Sequence, residues 1–142
     1  MKRIINLIFA ILWTLHIFSF SLQTGESSGS LSLSITDYLY RYTILIFPNL
    51  SVDTLHIILR KSAHVIEYLI LGCLYLKIWI DYRLFKWLFV IAGLAVALLD
   101  EGIQLFIIGR GPSLFDAIFF DFLGFLIGGV IAYLITPKLN KI

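Results

Sequence analysis

Asp100-Glu101-Gly102-Ile103-Gln104, then Gly109-Arg110, then Asp116, Asp121, Gly124 and Gly128: this stretch decides the fold. Two carboxylates sit side by side near the end of an apolar run that extends from Trp87 to about Gln104. A lone arginine follows in the loop from Phe106 to Ser113, between Gly109 and Gly111, and two more aspartates open the next apolar run. An acid at the centre of a bilayer costs about 2.5–3.5 kcal/mol. Acids placed this close to hydrocarbon therefore face a partner, water or a ligand.

Outward from that stretch, composition sets the solvent. The chain has 142 residues, the size of a single domain over 1–142, with 60% hydrophobic and only 14% charged residues. That balance lies far from the soluble one. Several runs approach the ~20 residues that cross a bilayer as a helix. A net charge of +2 on such a chain points to no nucleic-acid partner; the lipid bilayer is the expected one. The single cysteine, Cys73, lies within an apolar run and reads as a packing residue. The expected fold is an all-α membrane protein: a four-helix transmembrane bundle with one short interfacial amphipathic helix.

The first apolar run, Ile4 to about Phe20, follows Lys2 and Arg3. It is long for a signal peptide and contains Trp13 and His16, so it is expected to stay as the first span. Ser21 to Ser34 is rich in serine and glycine and reads as a loop. Ile35, Tyr38, Leu39, Tyr42, Leu45 and Ile46 then form one helical stripe over Ile35 to Phe47, too short to span and suited to the interface. Pro48 ends it. Ser51 is the expected N-cap of a long helix to about Ile80, and Asp81 to Lys86 forms a polar turn. Ser113-Leu114-Phe115-Asp116 fits a capping box for the fourth span, which ends before Pro137.

Lys2, Arg3, Lys77, Arg83, Lys86, Lys138 and Lys141, seven of the eleven basic residues, fall on one side of these spans, and eight of the nine acids on the other. The basic side is expected to be cytoplasmic and to hold both termini. The polar cluster then faces outward.

Three helix faces carry that cluster. Arg60, His64 and Glu67 recur at helical spacing on the second span, with Lys61 beside them. Asp100 and Glu101 each pair in spacing with Gln104 on the third. Asp121, Gly124 and Gly128 share a stripe on the fourth, where Gly124-x-x-x-Gly128 permits close helix approach. Asp116 in a first helical turn is also explained by the helix dipole.

These residues allow several chemistries. His64-x-x-Glu67 with nearby carboxylates suits a divalent cation, though the pattern names no cofactor. Paired carboxylates raise one another's proton affinity and so suit general acid–base work. Adjacent residues on a helix diverge by about 100°, so Asp100 and Glu101 need not face one group. Arg60, Lys61 and Arg110 suit a phosphate or carboxylate. A purely structural ion-pair network that fixes helix register accounts for the same residues.

The ordered set Phe20-Ser21-x-Gln23-x-Gly25-x-Ser27, Arg60-Lys61-x-x-His64-x-x-Glu67-Tyr68, Asp100-Glu101-x-x-Gln104, Gly109-Arg110, Asp116, Asp121, Gly124 and Gly128 resembles the VanZ-like family. Ile108 departs from it, since the family often has proline before the Gly-Arg pair. The family takes its name from a member associated with low-level resistance to the glycopeptide teicoplanin in Gram-positive bacteria. The resemblance implies a bacterial plasma-membrane protein of the cell envelope and leaves the reaction, if any, open. The leading expectation is a site for an anionic, lipid-linked or glycopeptide-related ligand at the outer leaflet. Arg60, Lys61, Gln104, Arg110 and Asp116 would bind it, while His64, Glu67, Asp100, Glu101 and Asp121 handle protons or a cation. Two alternatives remain: an acid–base or metal-assisted enzyme acting on a lipid-linked envelope precursor, and a structural or partner-docking membrane protein.

Overall fold

The computed structural model describes residues 1–136, so Lys138 and Lys141 lie outside the described residues. The described chain forms helices α1 (Lys2–Ser21), α2 (Gly25–Ile46), α3 (Val52–Tyr82), α4 (Lys86–Gln104) and α5 (Leu114–Ile135), with no strand among the described residues. All except α2 are long and apolar enough to cross a membrane. Ile4, Ile8, Ile11 and Leu15 of α1 and Val130, Leu134 and Ile135 of α5 stay exposed on the outside of the bundle, as lipid-facing side chains should. α3 is about 46 Å long at ~1.5 Å per residue, more than the ~30 Å hydrocarbon core, so some of its turns lie beyond that core.

The expected loop over Ser21 to Ser34 is the main correction. α2 begins at Gly25, and only residues 22–24 link it to α1. Thr24 caps the helix by accepting from the Ser27 amide at 3.3 Å. The serines that argue for a loop instead bond back to carbonyls one turn earlier: Ser30 to Ser27, Ser32 to Ser28 and Gly29, Ser34 to Ser30. Such back-bonding lets serine sit inside a helix when its hydroxyl has no better donor target. The Ser32 hydroxyl also meets His56 Nε2 at 2.6 Å, tying α2 to α3. α2 ends before Pro48, as expected.

Helix caps elsewhere follow the local sequence. Ser51 accepts from the Thr54 amide at 3.1 Å and starts α3. Arg83, at φ 52, turns the chain left-handed and ends it. The α3–α4 turn thus spans residues 83–85, tighter than the expected Asp81 to Lys86.

The closest packing joins α3 to α5, and glycines make it possible. A methyl on Gly128 would strike the Leu69 carbonyl, and one on Gly72 the Phe125 carbonyl. Gly124 lies against Val65 in the same way. With the backbones this near, Cys73 donates its thiol to the Gly128 carbonyl at 3.1 Å. Phe125, fully buried, stacks on Phe89 at 4.5 Å between ring centres and meets Tyr75 edge-on. Ile17, Tyr68, Leu71, Val96, Ala97 and Ala117 complete this core.

Candidate polar site between the helix ends

Four helix ends meet at one end of the bundle, the C-termini of α1 and α4 and the N-termini of α2 and α5, against the Arg60 to Glu67 stretch of α3. A loop seam holds them. Gly25 donates its amide to the Ile108 carbonyl at 3.0 Å, and its missing side chain lets Gly109, at φ 76, lie directly against it. Arg110 follows in the chain and donates Nε to the Gln23 carbonyl at 3.0 Å and a terminal nitrogen to the Phe20 carbonyl. It adds a second donor to the Phe20 carbonyl, which also accepts from the Gln23 amide at 3.1 Å, at the end of α1. Burial draws the Arg110 guanidinium below its ordinary value, and the neighbouring Arg60 acts in the same direction.

Asp100 and Glu101 turn to different partners, as their angular separation requires. Asp100, fully buried, accepts from the Ser21 hydroxyl at 2.5 Å. Glu101 accepts from the Ser113 amide at 2.7 Å and from Gln104 Nε2 at 3.3 Å. The expected capping box is therefore half formed. Ser113 accepts from the Asp116 amide at 3.3 Å, but its own amide goes to Glu101, and Asp116 pairs with Lys61 at 2.7 Å. The Lys61 ammonium also lies 4.4 Å from the centre of the Phe120 ring.

The start of α5 is not regular. Residues Ala117–Phe122 form a π-helical turn, with hydrogen bonds reaching five residues along rather than four. This places Asp121 inward, where Oδ1 lies 3.3 Å from His64 Nδ1 without the alignment of a hydrogen bond. Both oxygens of Asp121, Oδ2 of Asp100 and the Tyr68 hydroxyl are buried without hydrogen-bond partners among the described residues.

Two adjoining cavities share the walls formed by Arg60 and His64. The smaller, about 220 Å³, is polar and brings together Arg60, Lys61, His64, Glu101, Gln104, Asp116 and Asp121. The larger, about 360 Å³, lies between α1, α2 and α3; Arg60, His64, Glu67 and Arg110 share its lining with Ile17, Phe20, Ile35, Leu59 and Ile66. All ten expected site residues thus gather at this end, Asp100 standing behind His64 and Asp121. Glu67 is set apart from the smaller cavity, and its backbone carbonyl accepts from Trp13 Nε1 at 2.9 Å. Ser21 and Tyr68 are the residues that spacing alone does not single out. Both lie in the quoted motifs, yet neither reads as chemical until Asp100 is seen between them.

A family model described as VanZ/LLP1 matches residues 6–136. No curated protein and no solved structure matches the chain.

Proposed function

The chain belongs to the VanZ/LLP1 family, and from that premise we propose that it is a bacterial plasma-membrane protein that binds the anionic head of a lipid-linked envelope ligand at the outer leaflet. One observation carries the reading: Arg60, half-buried, has no ion-pair partner among the described residues and stands on the wall common to both cavities. A cation so placed costs free energy unless something anionic meets it. The larger cavity supplies an apolar groove in which a hydrocarbon chain fits, with Arg60 and Arg110 at hand for its head. Lys61, in contrast, is engaged by Asp116 and contributes to the rim of the smaller cavity.

The outward orientation rests on charge. Lys2, Arg3, Lys77, Arg83 and Lys86 cluster at the opposite end, which is the pattern of a cytoplasmic face. Resistance to teicoplanin, implied by the resemblance, is the cellular outcome this reading allows. Binding is tested with purified protein in lipid nanodiscs carrying a long-chain isoprenyl phosphate or the matching neutral isoprenol. The phosphate should bind, the alcohol should not, and Arg60→Ala should abolish the difference while membrane abundance stays normal. Equal binding of both lipids would overturn the reading.

One alternative also has a specific observation behind it. Lys61 with Asp116, Glu101 with the Ser113 amide, and Arg110 with the α1 carbonyls all hold helix ends in register. These pairs, with the approach of His64 to Asp121, favour a structural lock, which leaves Arg60 without a role.

A further inference from the structure

His64 on α3, Asp100 on α4 and Asp121 on α5 each offer one ligand atom, and these atoms lie within 4.8 Å of one another. Ligands of one ion at about 2.0–2.2 Å stand roughly 3–4 Å apart, so small rotations of two aspartate side chains close the set. We infer that these three residues form a binding site for one divalent first-row transition-metal ion.

Three observations support it. First, Asp100 and Asp121 are 0% and 1% exposed, and three of their four oxygens have no hydrogen-bond donor among the described residues. Two adjacent carboxylates so desolvated require positive charge at close range. Of the nearby permanent cations, Lys61 holds Asp116, Arg110 holds backbone carbonyls, and Arg60, though it lines the cavity with Asp121, forms no ion pair with either acid. A divalent ion neutralises both acids and leaves His64 as a neutral ligand.

Second, Ser21 already fixes Oδ1 of Asp100, which leaves Oδ2 as the free oxygen. A hydrogen bond on the far oxygen is how proteins orient a ligating carboxylate. Third, Tyr68 is fully buried, and its hydroxyl has no hydrogen-bond partner among the described residues. A further orphaned polar group in contact with Asp100 is what a bound ion with a coordinated water would satisfy.

The donor set selects the metal. One imidazole nitrogen with two carboxylates departs from the all-oxygen shells of magnesium and calcium and suits zinc, manganese or ferrous iron. Three protein ligands leave a position open. His64 and Asp121 line the smaller cavity together with Arg60, so an anion held there could occupy that position. Only this last step rests on the anion reading; the ion itself does not.

The test uses full-length protein without a histidine tag, stripped by chelator in detergent and titrated with cobalt as the optical probe and with zinc. One ion per chain is expected, with cobalt absorption of a nitrogen–oxygen site. His64→Ala and Asp121→Asn should lower affinity by more than about 100-fold, and Ser21→Ala by about tenfold. Asp116→Asn and Glu67→Gln should leave it unchanged. Folded wild-type protein that binds neither ion, or affinity undiminished in the His64 and Asp121 variants, overturns the site. So does loss of the ion on Glu67→Gln alone. Because the wild-type titration is decisive by itself, a variant that fails to fold does not rescue the inference. Phosphate-lipid binding by stripped protein is scored separately, so that the failure of either reading is visible.

Discussion

Asp116 and Asp121 are five residues apart on α5 and yet line the same cavity. In a regular α-helix, five residues turn through about 500°, which would leave the two carboxylates roughly 140° apart. The π-helical turn over Ala117–Phe122, which advances less per residue, narrows that divergence. One acid can then meet Lys61 while the other meets His64, two residues that are themselves three apart on α3.

The inserted residue in that turn should therefore matter more than its identity. Deleting Phe119, an exposed side chain in the π turn, should restore regular α-helix and swing Asp116 away from Lys61. Far-ultraviolet circular dichroism should stay helical while binding of the isoprenyl phosphate is lost. Phe119→Leu should keep it. Normal binding by the deletion protein would show that the two carboxylates need not share a wall.

Close α3–α5 packing predicts opposite outcomes for two glycines. Gly128→Ala drives a methyl into the Leu69 carbonyl, so it should destabilise by about 1–3 kcal/mol. Gly29 lies within α2 with nothing within 4 Å of an added Cβ, and Gly29→Ala should stabilise by up to ~1 kcal/mol through helix propensity. Thermal unfolding in detergent separates the two.

Much of this was legible in the sequence for a simple reason. Apolar runs near twenty residues dictate spans, and acids beside them must turn inward, so the gathering of His64, Glu101, Asp121 and Arg60 follows from solvent alone. Three things were not legible. Ser30, Ser32 and Ser34 look like loop residues because composition does not show that their hydroxyls bond back to the helix. The π turn leaves no periodic signature, because the apolar run through it is nearly continuous. Partner choice was hidden as well: Lys61 and Arg60 are adjacent cations, and only packing decides that Asp116 takes Lys61.

That choice can be measured. Lys61 and Asp116 are about a third exposed, so a double-mutant cycle with Lys61→Ala and Asp116→Ala should give a coupling of only about 0.2–1 kcal/mol. The exchanged pair Lys61→Asp with Asp116→Lys should recover part of it. Arg60→Ala should leave thermal stability unchanged or improved, since it removes a cation that has no partner among the described residues. A loss of stability from Arg60→Ala larger than from Lys61→Ala would favour the structural lock.

Gly25 sits outside both cavities but governs one wall. An alanine there would collide with the Gly109 carbonyl and push the loop outward, taking Arg110 off the Phe20 and Gln23 carbonyls. Gly25→Ala should thus cost isoprenyl-phosphate binding at least several-fold while every charged side chain remains. Arg110→Lys, which loses the forked donor set, should resemble it. If Gly25→Ala binds normally, the seam has no part in shaping the groove.

Orientation sets the leaflet from which a ligand arrives, and two exposed positions read it directly. Gly111 lies in the loop at the cavity end, with open space around an added side chain, and Lys86 lies exposed at the opposite end. The native thiol of Cys73 is half-buried between helices, so Cys73→Ser gives a quiet background that keeps the hydrogen bond to Gly128. With basic residues retained on the cytoplasmic side, an impermeant maleimide added to intact cells should label Gly111→Cys and spare Lys86→Cys until the membrane is opened. The reverse pattern would put Arg60 and its cavities at the cytoplasmic leaflet. An outward-facing lipid-linked ligand would then have no route to them, and the proposed function would fail on access alone.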